Sequence, residues 1–263
     1  MKITLVQTVL SWESPAKNYL RLDGILQKQS KTDVVVLPEM FTTGFTMNVQ
    51  SLERFDSNGE TIQWMRNWAK HLDAVITGSV AMMTDSGAVN RLIWMRPDGT
   101  FDFYDKRHAF TFVGEHEHYR SGDQRLIEHW RGWNFCPLIC YDLRFPVWSR
   151  NRFQHGAPDY DVLIYVANWP NARRDAWNAL LKARAIENVC YTVGVNRVGT
   201  DPKENVYAGD SAVIDFKGNV LWTQSDIAEV QTLELNRQDL DEFRAKFPAL
   251  KDGDAFQLLC KSE

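Results

Sequence analysis

The chain has 263 residues, 44% of them apolar, which allows a sizeable core in one large α/β domain or two small ones. Thirty Lys and Arg against 34 Asp and Glu leave a net charge of −4 and a pI near 5.9, with no long run of either sign. That balance argues against nucleic acid or an anionic membrane as partner. Four cysteines at 136, 140, 190 and 260 show no disulfide-framework spacing, so a reduced, cytoplasmic protein is expected.

The N-terminal "MKITLVQTVL" reads as a strand. Gln7 and Thr8 interrupt its apolar run and no small-residue cleavage site follows, so neither a leader nor a spanning helix is expected. In "SPAKNYLRLDGILQKQ", Ser14 stands at the cap and Pro15 at the first helical position, and Tyr19, Leu22, Ile25 and Leu26 share a face. A strand "DVVVLPEM", a helix "ETIQWMRNWAKHL" and a strand "DAVITGSV" follow, then a hairpin across "NRLIWMRPDGTFDFYDK". The run "NFCPLICY" is a further strand, with a helix expected over "PVWSRNRF". After "DVLIYVAN" the helix "RDAWNALLKARAIENV" places Trp177, Leu180, Leu181 and Ile186 at helical spacing. The strand "CYTVGVN", a second hairpin "SAVIDFKGNVLW" and the strand "VQTLEL" complete the β-rich runs.

Strands alternating with helices, together with hairpins in both halves, predict mixed sheets covered by helices in layers. No linker or composition shift divides the chain, so a single domain over 1–263 is expected. Its tail, 236–263, carries a short amphipathic helix "DLDEFRAKFP" free to pack outward or on a partner chain.

Three chemically capable residues end apolar runs. Cys140 closes "PLICYDLRFP", Glu39 follows the buried run "VVVLPEM", and Lys106 follows the alternating "FDFYDK". Each has an ordinary reading: a small buried thiol, a structural carboxylate, a solvated ammonium. Together they are the set that attacks a carbon–nitrogen bond without metal. A thiol must lose its proton, a carbonyl oxygen must be stabilised as charge develops, and the leaving nitrogen must be protonated. The Cys136/Cys140 pair lacks a second Cys or His pair for zinc. No G-x-S-x-G elbow is present.

The segments "LPEMFTTGF", "YDKRHAF" and "LICYDLRFP", with the later "VANWPNAR", "KARAIEN" and "YAGDSAVIDFKGNVL", resemble, in order, the nitrilase or carbon–nitrogen hydrolase superfamily. The resemblance covers nearly the whole chain. It implies an α/β fold, a four-layer α-β-β-α sandwich with two mixed β-sheets, and association into homodimers or larger assemblies. It further implies Glu39 as general base, Cys140 as nucleophile, and Lys106 with the Tyr141 N–H as oxyanion stabiliser. A second glutamate belongs between the lysine and cysteine segments; Glu115 fits that place, with Glu117 the fallback. No cofactor is implied.

"CYDLRFP" is similar to the amidase rather than the nitrilase branches, and "PEMFTTGF" and "VANWPNARRDAW" are similar to bacterial ω-amidases, which act on 2-oxo acid monoamides. Phe41, Asn168 and Trp169 are expected pocket walls because each follows a strand near one of these segments. Arg144 reads as an ion-pair partner of Asp142, and Arg173 and Arg174 as loop charges.

Other aliphatic amidase or nitrilase activity is the alternative within the superfamily. Two rivals lie outside that chemistry. His108, His116 and His118 with Glu115 supply metal-ligand types in "RHAFTFVGEHEHY", although without the helical H-E-x-x-H pattern. A nitrilase-like fold kept for binding alone is the other.

Overall fold

The computed structural model describes residues 1–29 and 31–258. The first half of the chain runs β1 (Lys2–Gln7), α1 (Pro15–Leu26), β2 (Val34–Val36), α2 (Glu60–Leu72), β3 (Val75–Thr84), β4 (Gly87–Met95) and β5 (Phe101–Asp105). Next come a one-turn α3 (Glu115–His118), β6 (Glu128–Trp130), β7 (Trp133–Ile139), a one-turn α4 (Pro146–Ser149), and the small pair β8 (Phe153–Gln154) and β9 (Ala157–Pro158). The remainder is β10 (Val162–Ala167), α5 (Arg174–Asn188), β11 (Tyr191–Asn196), β12 (Val198–Thr200), β13 (Val206–Ile214), β14 (Val220–Ser225), β15 (Glu229–Glu234) and α6 (Arg237–Lys246).

These strands form two mixed sheets. One has the order β15-β1-β2-β3-β4-β5; the other is β12-β13-β11-β10-β7-β6, with β14 also paired to β13. Strands β1, β2 and β3 are mutually parallel, as are β7, β10 and β11, and both expected hairpins, β4/β5 and β13/β14, are antiparallel.

Period-two alternation sorts the first sheet's side chains into two cores. Ile3, Leu5, Val34, Val36, Val75, Leu92 and Trp94 enter the inner core with the second sheet, where Trp94 meets Phe135 at 5.0 Å. Their neighbours Val6, Val35, Ile76, Ile93 and Met95 pack outward against Leu22 and Leu26 of α1 and Ile62, Met65 and Ala69 of α2. Burial on both faces is why these strands read as unbroken apolar runs. On the far side α5 covers the second sheet. Its close approach depends on Gly194 of β11, where a Cβ would stand 2.6 Å from Leu181 Cδ1 and 2.8 Å from Trp177 Cζ2. The layers are therefore helix, sheet, sheet, helix.

Several local expectations are corrected. Ser14 occupies the α1 cap position, but its side chain makes no capping hydrogen bond. The buried face of α5 is Trp177, Leu181, Arg184, Ala185 and Asn188, whereas Ile186 is 47% exposed. The reason is Arg184, whose Nη2 donates to Leu143 O at 2.6 Å and turns that face toward the segment after Cys140. The helix expected over "PVWSRNRF" stops after one turn. One face of helix α6 packs on its own chain, with Leu240 buried, Phe243 5.0 Å from Phe216 and Arg237 and Arg244 both on Asp161, while Gln238, Asp241 and Glu242 stay exposed; the end of the tail, 259–263, lies outside the described residues. Among the described residues, no helix is long and apolar enough to cross a membrane.

Candidate active site

The ends of four strands, two from each sheet, meet at one point. Pro38 has no N–H to continue the β2 ladder, and Met40, at φ 45°, turns the chain back so that its N–H binds Ser79 Oγ at 2.9 Å. Glu39 is thereby left at the seam between the sheets, fully buried. Lys106 directly follows β5, with its N–H on Asn90 O. Cys140 follows β7 and opens a 3₁₀ turn, Cys140–Arg144, at φ 44°, a left-handed strain that a non-glycine residue adopts only when its surroundings enforce it. Asn168 follows β10.

Asp142 supplies the enforcement. Its Oδ2 accepts from Ile139 N at 3.0 Å and Tyr104 OH at 2.7 Å, and its Oδ1 accepts from His108 N at 3.0 Å. His108 Nδ1 lies 2.8 Å from the same Oδ1, and the imidazole stacks on Phe145 at 3.7 Å. The turn that carries the thiol is thus tied to the segment that carries Lys106.

Lys106 Nζ is the hub. It donates to Glu39 Oε1 at 2.9 Å and to both oxygens of Glu115 at 2.9 Å. Glu39 Oε1 also accepts from Asn90 Nδ2 at 2.8 Å, and Oε2 from Asn168 N at 2.8 Å. Glu115 takes a further bond from Phe110 N. Burial by itself would drive the proton off Lys106, but the facing carboxyls of Glu115, first, and Glu39 outweigh it and raise its pKa, which favours the ammonium. The Glu115 carboxyl is raised, first by burial and against the pull of Lys106. Burial also pushes the Cys140 thiol well up; the Glu39 charge adds to this, Lys106 opposes it, and a hydrogen bond to Glu39 contributes. The Cys140 thiol is thus held neutral at rest, beside Glu39.

Cys140, 9% exposed, opens onto a cleft of about 520 Å³, part of it open to solvent. Lys106, Tyr141, Arg144, Asn168, Trp169 and Arg173 line it, together with Phe45, Phe110, Asn205 and Tyr207. Glu39, Lys106, Cys140 and Glu115 are thus brought together, with Tyr141, Asn168 and Trp169 in the wall, while Glu117 is exposed.

Phe41 is not a pocket wall. It lies fully buried in the outer core, 5.6 Å from Trp64, because the turn at Met40 sends it to the opposite side of the sheet from Glu39. Nor does Arg144 pair with Asp142, whose oxygens are already engaged; it is exposed in the cleft, its guanidinium 5.0 Å from the Trp169 ring. Arg173 lines the same cleft 5.1 Å from the Phe110 ring, and Arg174 is bound to Asp210. The histidine set considered for metal diverges: His108 is held by Asp142, Glu115 by Lys106, and His116 and His118 are exposed. No cluster of three or more His, Cys, Asp or Glu set to hold a metal ion occurs among the described residues. Cys136, Cys140 and Cys190 are free and buried, and Cys260 lies outside the described residues.

Asn90, Asp142 and Tyr207 were not anticipated as parts of the site. A buried Asn inside the apolar run "AVNRLIWM" was the available signal for the first; Tyr207 gave none.

The carbon–nitrogen hydrolase family matches residues 2–245. The chain belongs to that family. It is an enzyme that hydrolyses carbon–nitrogen bonds of small molecules. Omega-amidase YafV of Yersinia enterocolitica is 47% identical over 98% of this chain and 99% of its own length. The 2-oxoglutaramate amidase of Bacillus subtilis is 34% identical over 95% and 96%. Among solved structures, XC1258 of Xanthomonas campestris, a CN-hydrolase superfamily protein with an arsenic adduct in its active site, superposes with a TM-score of 0.96 at 46% identity over 98% of each chain. Nit3 of Saccharomyces cerevisiae shares the fold, with a TM-score of 0.84 at 23% identity over 94% of each chain.

Proposed function

We propose that this carbon–nitrogen hydrolase is an ω-amidase that releases ammonia from the terminal amide of 2-oxo dicarboxylic acid monoamides such as 2-oxoglutaramate and 2-oxosuccinamate. The observation that carries the reading is one of charge. The cleft above Cys140 is lined by Lys106, Arg144 and Arg173 and by no carboxylate, a setting suited to a substrate that ends in a carboxylate. The names of the full-length relatives support the same substrate class.

In this mechanism the neutral Cys140 thiol attacks the amide carbon as Glu39 takes its proton. The transfer accompanies attack because the environment holds the thiol pKa high. Negative charge developing on the carbonyl oxygen faces Lys106 Nζ and the Tyr141 N–H; one such donor is worth roughly 10²- to 10³-fold in rate. Glu39 returns the proton to the departing nitrogen, ammonia leaves, and a thioester remains on Cys140. Water activated by Glu39 then releases the acid. Glu115 holds Lys106 in place, and Asn168 holds Glu39. Asn168 and Trp169 shape the pocket.

Homodimers or larger assemblies and a cytoplasmic setting complete the proposal. Support for association comes from one flank of α5, where Ile186 lies under Gly218 beside the exposed Val220 and Leu221. The free, buried thiols suit a reducing compartment. Ammonia release from 2-oxoglutaramate, 2-oxosuccinamate, glutamine, simple aliphatic amides and a nitrile tests the assignment. The oxo acids should lead in kcat/KM by at least about 100-fold, the order expected when a substrate lacks the carboxylate that would pair with the cations of the cleft. A nitrile or plain aliphatic amide in the lead would overturn the substrate and favour the other branches of the family.

A further inference from the structure

The side chains of β4 that face the second sheet are apolar at Leu92 and Trp94, and by the alternation of a strand the next place in that row belongs to Asn90. Asn90 is 1% exposed, and its Oδ1 has no hydrogen-bond partner among the described residues. A buried amide with one end unpaired is a cost to the fold that an apolar side chain of the same size would not carry. The other end of the amide carries the explanation.

Asn90 Nδ2 donates to Glu39 Oε1 at 2.8 Å, and the Asn90 carbonyl accepts from Lys106 N at 2.9 Å. One residue thus holds the side chain of the base and the backbone of the ammonium that faces it. Chemistry fixes the orientation of the amide, since the flipped form would set Oδ1 against a carboxylate oxygen, acceptor to acceptor. An ionised carboxyl offers about four lone-pair positions, shared equally by its oxygens. Lys106 Nζ at 2.9 Å and Asn90 Nδ2 fill those of Oε1, and the Asn168 N–H at 2.8 Å fills one on Oε2. The position left open is on Oε2. Asn90 is the one amide side chain on this carboxylate among the described residues, because Asn168 reaches it through the main chain.

We infer that Asn90 is the positioning residue of the base: with Lys106 it occupies Oε1, fixes the plane of the Glu39 carboxylate, and leaves Oε2 to take the Cys140 proton. The inference rests on the mechanism proposed above. Asn90 touches Glu39 and is not among the residues that line the cleft, so its effect belongs to the chemical step and not to substrate binding. Without its donor the carboxylate is free to turn about its terminal bond, a soft torsion with broad minima. A base displaced by about 1 Å loses rate on the order of 10²-fold.

The test pairs steady-state kinetics on 2-oxoglutaramate with the rate at which iodoacetamide alkylates Cys140, followed by the mass of the peptide that contains it. Alkylation needs the thiol proton removed but no turnover, so it reads the base apart from the substrate. Asn90→Leu should lower kcat by about 10- to 100-fold with KM within about threefold of wild type, and should slow alkylation about tenfold. A packing role alone gives the opposite sign for alkylation, because a loosened site exposes the thiol. Alkylation as fast as wild type or faster would overturn the inference, as would a loss carried in KM with kcat unchanged. If Asn90→Leu does not fold, Asn90→Ser decides by the same readings, since its hydroxyl ends one bond short of the amide nitrogen. Glu39→Gln separates this inference from the mechanism beneath it. Slow alkylation in Glu39→Gln beside unaffected Asn90 variants removes the part assigned to Asn90 alone, whereas fast alkylation in Glu39→Gln removes Glu39 as base and the mechanism with it.

Discussion

Two charge clusters flank strand β10, one at Asp161 before it and one beside Asn168 after it, and they are built differently. At the foot of α6, the Asp161 carboxylate accepts from Arg237 Nη1 at 2.8 Å, Arg244 Nη1 at 2.6 Å and Asn134 N at 2.9 Å. Every strong acceptor there is used, the neighbouring Cys190 thiol is fully buried, and the result is a staple between a helix and a sheet. At the cleft, two carboxylates divide one ammonium and a thiol stands beside them. One cluster borders a surface cleft too, but its carboxylate is spent on two guanidiniums and a backbone N–H. The other leaves the Cys140 thiol facing the cleft with the buried Glu39 carboxyl beside it, and that opening of a thiol to a cleft is what separates the two.

The contrast can be broken at either end. Cys140→Ala should have the largest effect: ammonia release falls by about 10⁵-fold or to background, while the melting temperature shifts by no more than about 3 °C. Lys106→Met should cost both properties, because Glu39 and Glu115 are left buried without their shared cation. A loss of about 10³-fold in kcat and about 3–5 kcal/mol of stability by urea titration is expected. Glu115→Gln should lower kcat by about 10²-fold, whereas the exposed Glu117→Gln should stay within about twofold; equal effects would remove the distinction between the two glutamates. Asp161→Ala is the smallest in activity and the reverse in kind. Stability should drop by about 2–4 kcal/mol, and kcat/KM per folded enzyme should stay within about twofold of wild type. A catalytic deficit there would mean the staple and the site are coupled.

The chemistry was legible because of where it sits along the strands. Glu39, Lys106 and Cys140 each end an apolar run, and a residue that ends a buried strand must emerge at the sheet's edge. The two-sheet sandwich needed the resemblance as well as the periodicity, since strands buried on both faces do not reveal which core each face enters. What escaped reading depends on partners distant in sequence. Asp142 is claimed by Tyr104 and His108 rather than by its neighbour Arg144, and that exchange frees Arg144 for the cleft. Phe41 was misplaced because the positive φ of Met40 reverses the alternation that carries on from β2. The exposed Ile186 and buried Arg184 of α5 reflect a tertiary hydrogen bond to Leu143, which overrides the apolar stripe.

The account turns on a covalent step at one sulfur. Rapid acid quench of the wild-type enzyme turning over 2-oxoglutaramate, followed by mass analysis of the peptide that contains Cys140, tests that step directly. The account predicts that this peptide alone gains the mass of the acyl group, with Cys136 and Cys190 unchanged. Steady ammonia release with Cys140 unmodified, in an enzyme that still turns over after Cys140→Ala replacement, would contradict it.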